Sequence, residues 1–185
     1  MLFDADQLEA LTACAELINT GRSRSGEGLR TAADVAEFGR RYAFHPRAAT
    51  SSDAPRLRAQ RQRLDAIAMA CQAGEEAAAT SMLNALLART GAIPQIVAHD
   101  GRGPHLHVSR PSAPLADRVA AQLAMGLARL VVTGETDRVR TCQSPDCRDV
   151  FIDFSRNRSR RYCDNRTCGN RVHVAAYRAR KSAQH

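Results

Sequence analysis

Four cysteines near the C-terminus constrain the fold of this chain more than any other feature. Cys142 and Cys147 form one pair and Cys163 and Cys168 a second; each pair encloses four residues, and fifteen residues separate the pairs. Zn²⁺ takes four soft ligands in tetrahedral geometry, and two short cysteine-bearing turns can close around it. The spacing therefore predicts a four-cysteine zinc site, with two structural disulfides as the alternative.

The remaining composition favours helices. The chain has 185 residues, of which 44% are hydrophobic and only 4% aromatic, so alanine and leucine must fill most of the core. These residues head the helix propensity scale, and the length suits one domain plus a small module. We therefore predict an α+β, mainly helical fold, with a helical domain over residues 1–134 and a zinc module over residues 138–181.

Apolar residues recur at three- and four-residue spacing in several segments of the first domain. They predict helices at residues 4–19, 31–42, 53–73, 75–90 and 115–132. Expected N-caps are Asp4 or Asp6, Thr31, and Ser52 or Asp53. A change to strand-like patterning predicts one small β-hairpin formed by residues 93–98 and 105–109.

The zinc module is expected to contain two short strands and a helix. One strand follows Arg138, the second covers residues 150–153, and the helix starts near Gly169 and ends near Lys181. Phe151 is expected to pack against the metal site. This order of elements is treble-clef-like or zinc-ribbon-like. The module has little apolar surface to bury, so its folding is expected to depend on the metal.

The positive charge of the chain is concentrated in the same module. The net charge is +8, and residues 138–181 carry 12 basic and 4 acidic side chains, a balance of +8, whereas the remainder carries 15 of each. Such asymmetry is typical of polyanion binding, most often nucleic acid. A solvated surface in an arginine-rich protein is the alternative.

Candidate nucleic-acid contacts lie in an arginine-rich loop and in the predicted last helix. Guanidinium groups can bind phosphate oxygens or the O6/N7 edge of guanine. Structural roles are the alternative for two of them: Asn170 as a capping residue and Arg171 through bonds to nearby carbonyl groups. The candidates are Arg156, Arg158, Arg160, Arg161, Asn170, Arg171, Arg178, Arg180 and Lys181.

Other histidines and cysteines give weaker signals. His105 and His107 alternate on one predicted strand, with His99 nearby, so a second metal site is an alternative to an exposed strand. His173 is expected to be a surface or packing residue, with a role in supporting the metal ligands as the alternative. Cys14 and Cys71 lie on apolar helix faces and are expected to pack in the core.

No run of about 18 apolar residues predicts a membrane span, and the N-terminus lacks the charge pattern of a signal peptide. A cytoplasmic location is therefore expected. Phosphate-binding loops, nucleophile elbows and paired catalytic carboxylates are also missing from the sequence, so we do not expect an enzyme.

The C-terminal segment resembles the CGNR zinc finger. The resemblance rests on the tetrapeptide Cys168-Gly169-Asn170-Arg171, the other three cysteines at their spacings, and the segments 151–153, 155–157 and 160–163. In that family the finger usually follows an ABATE domain and the pair is described as a stress-induced transcription regulator. The resemblance implies Zn²⁺ bound by Cys142, Cys147, Cys163 and Cys168.

These observations predict a zinc-dependent nucleic-acid-binding protein, with DNA favoured over RNA, that regulates transcription. A zinc-stabilised protein-interaction adaptor and an RNA-binding protein are the alternatives. The helical domain is expected to serve as a sensor with a small-molecule ligand or as a homodimerisation unit.

Overall fold

Helices dominate the fold up to the cysteine-rich segment. A computed structural model of the protein describes residues 3–23, 26–42, 44, 49–98, 103–110, 112–163 and 167–182. The first five helices are Ala5–Asn19 (α1), Ala32–Arg41 (α2), Asp53–Ala73 (α3), Glu76–Arg89 (α4) and Leu115–Val132 (α5). Each predicted helix is present; α3 and α5 have the predicted bounds, and the ends of the other three differ by at most one residue.

Local signals in the sequence account for most of the helix ends. The Asp4 carboxylate accepts a hydrogen bond of 2.8 Å from the Gln7 N–H and caps α1. Thr31 and Asp34 form a reciprocal capping box at the start of α2. Helix α3 ends at Gly74 in the left-handed conformation, with φ of 73°.

The start of α3 differs from the prediction. Ser52 makes no side-chain capping bond, so it is not an N-cap in the expected sense. Asp53 is the first residue of the helix, and its carboxylate accepts bonds of 2.7 Å from the Thr50 N–H and 2.8 Å from the Thr50 hydroxyl. The carboxylate therefore ties the preceding turn to the helix.

Helices α1, α3, α4 and α5 surround one hydrophobic core. Their predicted apolar faces are buried, including Leu11 on α1, Leu64 on α3 and Leu127 on α5, each 0% exposed. At the crossing of α1 and α5, a Cβ added to Gly126 would lie 3.2 Å from the Ala10 Cβ. Glycine therefore permits the close approach of these two helices.

A short antiparallel hairpin joins α4 to α5, as predicted, but its strands are shorter than expected. They cover Gln95–Val97 (β1) and His105–His107 (β2), with Ile96 opposite Leu106. The Ile96 and Leu106 side chains are 77% and 54% exposed, so this pair packs little against the helices.

The second hairpin contributes side chains both to the core of the helical domain and to the four-cysteine cluster. Strand Val139–Thr141 (β3) follows a 3₁₀ turn at Thr136–Arg138 and pairs with strand Val150–Ile152 (β4). Successive side chains of a strand point to opposite faces. Val139, Val150 and Ile152 accordingly join the helical core, whereas Phe151 packs with the four cysteines.

The last helix, Cys168–Ser182 (α6), starts at the fourth cysteine. The result is a mainly helical α+β fold with six α-helices in the described residues, two small hairpins and a C-terminal four-cysteine cluster, as predicted. Among the described helices, none is long and apolar enough to cross a membrane.

Candidate metal centre and its basic surroundings

Three elements position the four cysteines. Cys142 directly follows β3, and Cys147 closes the next turn, where its N–H donates to the Ser144 carbonyl at 3.0 Å. Cys163 follows the arginine-rich loop, and Cys168 is the first residue of α6. All four side chains are buried, so the hairpin, the loop and the helix converge on one point.

The sulfur atoms have the spacing of a tetrahedral zinc site. All four Sγ atoms lie within 4.8 Å of one another. Cys163 Sγ is 3.7 Å from the Sγ atoms of both Cys147 and Cys168. Zinc–sulfur bonds of about 2.3 Å place ligand sulfurs about 3.8 Å apart, whereas a disulfide requires about 2.05 Å. The cluster fits a bound zinc ion, and none of the six cysteines is paired in a disulfide.

The cluster needs a cation to hold its thiolates. Burial raises the pKa of Cys147 to about 11 and, together with the neighbouring thiols, strongly raises that of Cys163. Burial also acts on Cys142, but N–H groups of Cys163 and Ser144 outweigh it and lower the pKa of this thiol. Zn²⁺ would supply the missing positive charge, and the N-terminus of α6 adds a favourable dipole at Cys168.

Aromatic side chains cover the cluster. Phe151 packs against the cysteines as predicted, and the Arg160 guanidinium lies 5.1 Å from the centre of its ring. Tyr162 also packs on the cluster and meets the exposed His173 edge-on, with 6.2 Å between ring centres. His173 is therefore a packing residue at the start of α6, as expected from the sequence.

Two side chains join the metal module to the helical domain. The Asn19 amide donates to the Val150 carbonyl and accepts from the Val150 N–H, both at 2.8 Å. Arg138 is 1% exposed, forms an ion pair with Glu135, and lies 5.3 Å from the centre of the Phe3 ring. Sequence analysis identified neither role, because each depends on partners that are distant in the chain.

A buried carboxylate organises the arginine-rich loop. Asp153 is 0% exposed and accepts bonds of 2.9 Å from the Ser155 N–H and 2.8 Å from the Arg160 N–H. The Arg140 guanidinium lies 3.4 Å from the same carboxylate. Although burial acts in the opposite direction, these bonds lower the pKa of Asp153. The loop is therefore a fixed turn and not a loose basic segment.

Two of the predicted contact residues are engaged within the protein. Arg158 has a φ of 49° and turns back to Asp137 at 2.9 Å and to Glu135 at 2.8 Å. Arg160 stacks on Phe151 and donates to the Tyr162 carbonyl at 2.9 Å. Both side chains therefore have partners within the protein, either in the finger or in the 3₁₀ turn region that precedes it.

The other predicted contacts remain accessible. Helix α6 buries only its first residue, and the Arg161 guanidinium bonds to the uncharged Gln143 side chain at 2.7 Å. Asn170 is the third residue of α6 and not its N-cap. No carboxylate partner is found among the described residues for the exposed side chains Arg156, Arg161, Arg171, Arg178, Arg180 and Lys181.

The other histidines and cysteines form no second metal-binding cluster within the described residues. The one group of three or more metal-binding side chains found there is the cysteine quartet. His99 and the side chain of His105 lie outside the described part of the structure, so a second metal site that includes them stays a prediction. Cys14 and Cys71 are buried in the helical core, and burial raises their pKa to about 12 and about 11. Their packing role is as expected.

Comparison with protein families agrees with this architecture. The CGNR zinc finger matches residues 138–181. ABATE, described as "Putative stress-induced transcription regulator", matches residues 11–134, which is more than half of the chain. Comparison with curated proteins gives no match. The chain therefore belongs to the ABATE family and ends in a CGNR zinc finger.

Proposed function

We propose that this protein is a cytoplasmic, zinc-dependent DNA-binding regulator of transcription that contacts phosphates with its C-terminal finger. The observation that carries the proposal is the set of exposed cations on the finger, which have no carboxylate partner among the described residues. Arg158, by contrast, is paired with acidic side chains. Exposed, unneutralised cations on one small module favour a polyanionic partner.

The metal has a structural role in this proposal. Four thiolates complete the tetrahedral coordination of zinc and leave no position for a water or a substrate. The chemistry of the donor set therefore supports a binding protein and not an enzyme. Zinc would fix the start of α6 and the end of the arginine-rich loop relative to each other.

Salt dependence of binding tests the proposal. The full-length zinc-loaded protein is titrated with random-sequence duplex DNA at several salt concentrations. If about six phosphates are neutralised, log K falls with log salt at a slope near −5. A slope near zero would rule out phosphate binding, and binding to an acidic peptide alone would support the adaptor alternative.

Matched arginine variants make the test specific to the finger. Substitution of both Arg156 and Arg161 by alanine should reduce the magnitude of the slope by about two, because each phosphate contact contributes about one unit. The controls are Arg63→Ala and Arg89→Ala, which remove exposed arginines from α3 and α4. Equal effects of both pairs would contradict a contact surface on the finger. A sensor or dimerisation role of the helical domain stays a prediction.

A further inference from the structure

We infer that α6 enters the major groove of duplex DNA and reads bases with the face that it turns away from the finger. The inference rests on the proposed function. It adds to that function the element, the groove and the residues that contact bases.

Contacts at the start of α6 define which side faces the finger. Cys168 is buried in the metal cluster and Val172 is half-buried. A Cβ added at Gly169 would lie 3.4 Å from the Tyr162 ring, and His173 meets the same ring. At about 100° of rotation per residue, these four helix positions lie on one side of α6.

The opposite side of α6 carries a different set of residues, which we call the recognition face. Its members recur at helical spacing and cover about 120° of the helix circumference. All are exposed, and they are Asn170, Arg171, Val174, Tyr177, Arg178 and Lys181.

The chemistry of this face goes beyond phosphate binding, for which cations suffice. Val174, which is 47% exposed, lies between the cations, and apolar side chains are the groups that contact the thymine methyl. Asn170 and Arg171 are of the residue types that pair with adenine and guanine edges. Tyr177, which is 61% exposed, can donate to a phosphate at the margin of the face.

Shape and charge select duplex DNA over other polyanions. Helix α6 has 15 residues, no acidic side chain, and only its first residue buried, so most of its length projects from the finger. A helix is about 10–12 Å across with its side chains, and the major groove of B-DNA is about 12 Å wide. The major groove of A-form RNA is too deep and narrow for side chains to read.

Two neighbouring arginines provide a matched test. Arg178 lies on the recognition face, whereas Arg180 is equally basic and exposed but lies about 160° away around the helix. Sequences are selected from a random duplex library with the full-length zinc-loaded protein. Dissociation constants of wild type, Arg178→Ala and Arg180→Ala are then measured for a selected duplex and a scrambled one.

We expect a selected motif and a specificity ratio that Arg178→Ala lowers about tenfold or more. Arg180→Ala should leave the specificity ratio unchanged, because it should weaken binding to both duplexes by the same factor. Asn170→Ala should relax the preference at one base position. Zinc content and circular dichroism verify that each variant is folded.

Equal specificity ratios for the two arginine variants would overturn the groove assignment. Equal affinity for an RNA duplex of the same sequence would overturn it as well. In either case, salt-dependent binding to random DNA would still support the proposed function. Absence of binding to DNA at every salt concentration would instead overturn the proposed function and this inference together.

Discussion

Asn19, at the C-terminal end of α1, binds both backbone groups of Val150 in β4. Its side-chain amide donates to the Val150 carbonyl and accepts from the Val150 N–H, each at 2.8 Å, and both residues are buried. Val150 lies between the buried Asp149 and Phe151, which packs on the cysteine cluster. One amide therefore connects the helical domain to the strand that supports the metal centre.

Replacement of Asn19 by leucine should destabilise the protein by about 2–6 kcal/mol. The substitution leaves the buried N–H and carbonyl of Val150 without partners, and each such group costs about 1–3 kcal/mol. Urea unfolding measures the change, and zinc release to a chelator should also accelerate. Asn84→Leu on the exposed surface of α4 is the control and should change stability little. Equal stability of the two variants would contradict the role of Asn19.

Loss of zinc should unfold the finger before the helical domain. Helix α6 buries only Cys168, whereas the core of α1, α3 and α5 is built from apolar side chains. Structural zinc contributes apparent binding energies of about 10–16 kcal/mol in small modules. After chelation, hydrogen exchange should become fast over residues 168–182 and remain slow in α5.

The cysteines offer an internal control for this prediction. Cys168→Ser should abolish stoichiometric zinc binding, and Cys71→Ala should retain one zinc ion per chain because Cys71 lies in the helical core. Metal analysis of the purified proteins measures both. Wild-type zinc affinity in Cys168→Ser would be incompatible with a four-cysteine site.

Arg158→Gly should leave DNA affinity nearly unchanged, within about twofold. The guanidinium is already paired with Glu135 and Asp137, and glycine adopts the observed φ of 49° without strain. Binding of random duplex DNA measures the effect, with the Arg156 and Arg161 substitutions as the comparison. A loss as large as theirs would show that Arg158 leaves its acidic partners to contact DNA.

Glu27 should titrate below its ordinary pKa of 4.5. Two hydrogen bonds from the Arg61 guanidinium, at 2.6 Å and 2.7 Å, lower the pKa of Glu27 against the opposing effect of burial. A lowered pKa means that the pair stabilises the fold above pH 4.5, and that this contribution is lost as pH falls through the folded value. NMR titration of the side-chain carboxyl measures the midpoint.

Glu27→Gln should lower the free energy of unfolding by about 1–3 kcal/mol at neutral pH. We expect a value toward the lower end of this range, because the Glu27 side chain is 31% exposed. Glu37→Gln is a suitable control, since Glu37 pairs with arginines on the exposed surface of α2. A Glu27 midpoint at or above 4.5 would contradict the proposed pairing.

Local sequence determined the helices and strands and the four candidate metal ligands. Helix periodicity, the capping residues Asp4 and Thr31, and the glycine after α3 act within a few residues, so they could be read directly. The same holds for the four cysteines, because two turns and a helix start suffice to bring each pair together. The expectation that Phe151 would pack on the four-cysteine cluster is confirmed as well.

Tertiary structure decided which of the basic side chains remain exposed and how the finger is attached to the helical domain. The sequence placed the whole net charge of +8 in residues 138–181, but the fold buries Arg138 and pairs Arg158 with Glu135 and Asp137. It also attaches β4 to Asn19, 131 residues away in the chain. Such pairings depend on which elements meet in space, and no local propensity or spacing encodes that, because burial and charge neutralisation arise only when the core of the helical domain closes.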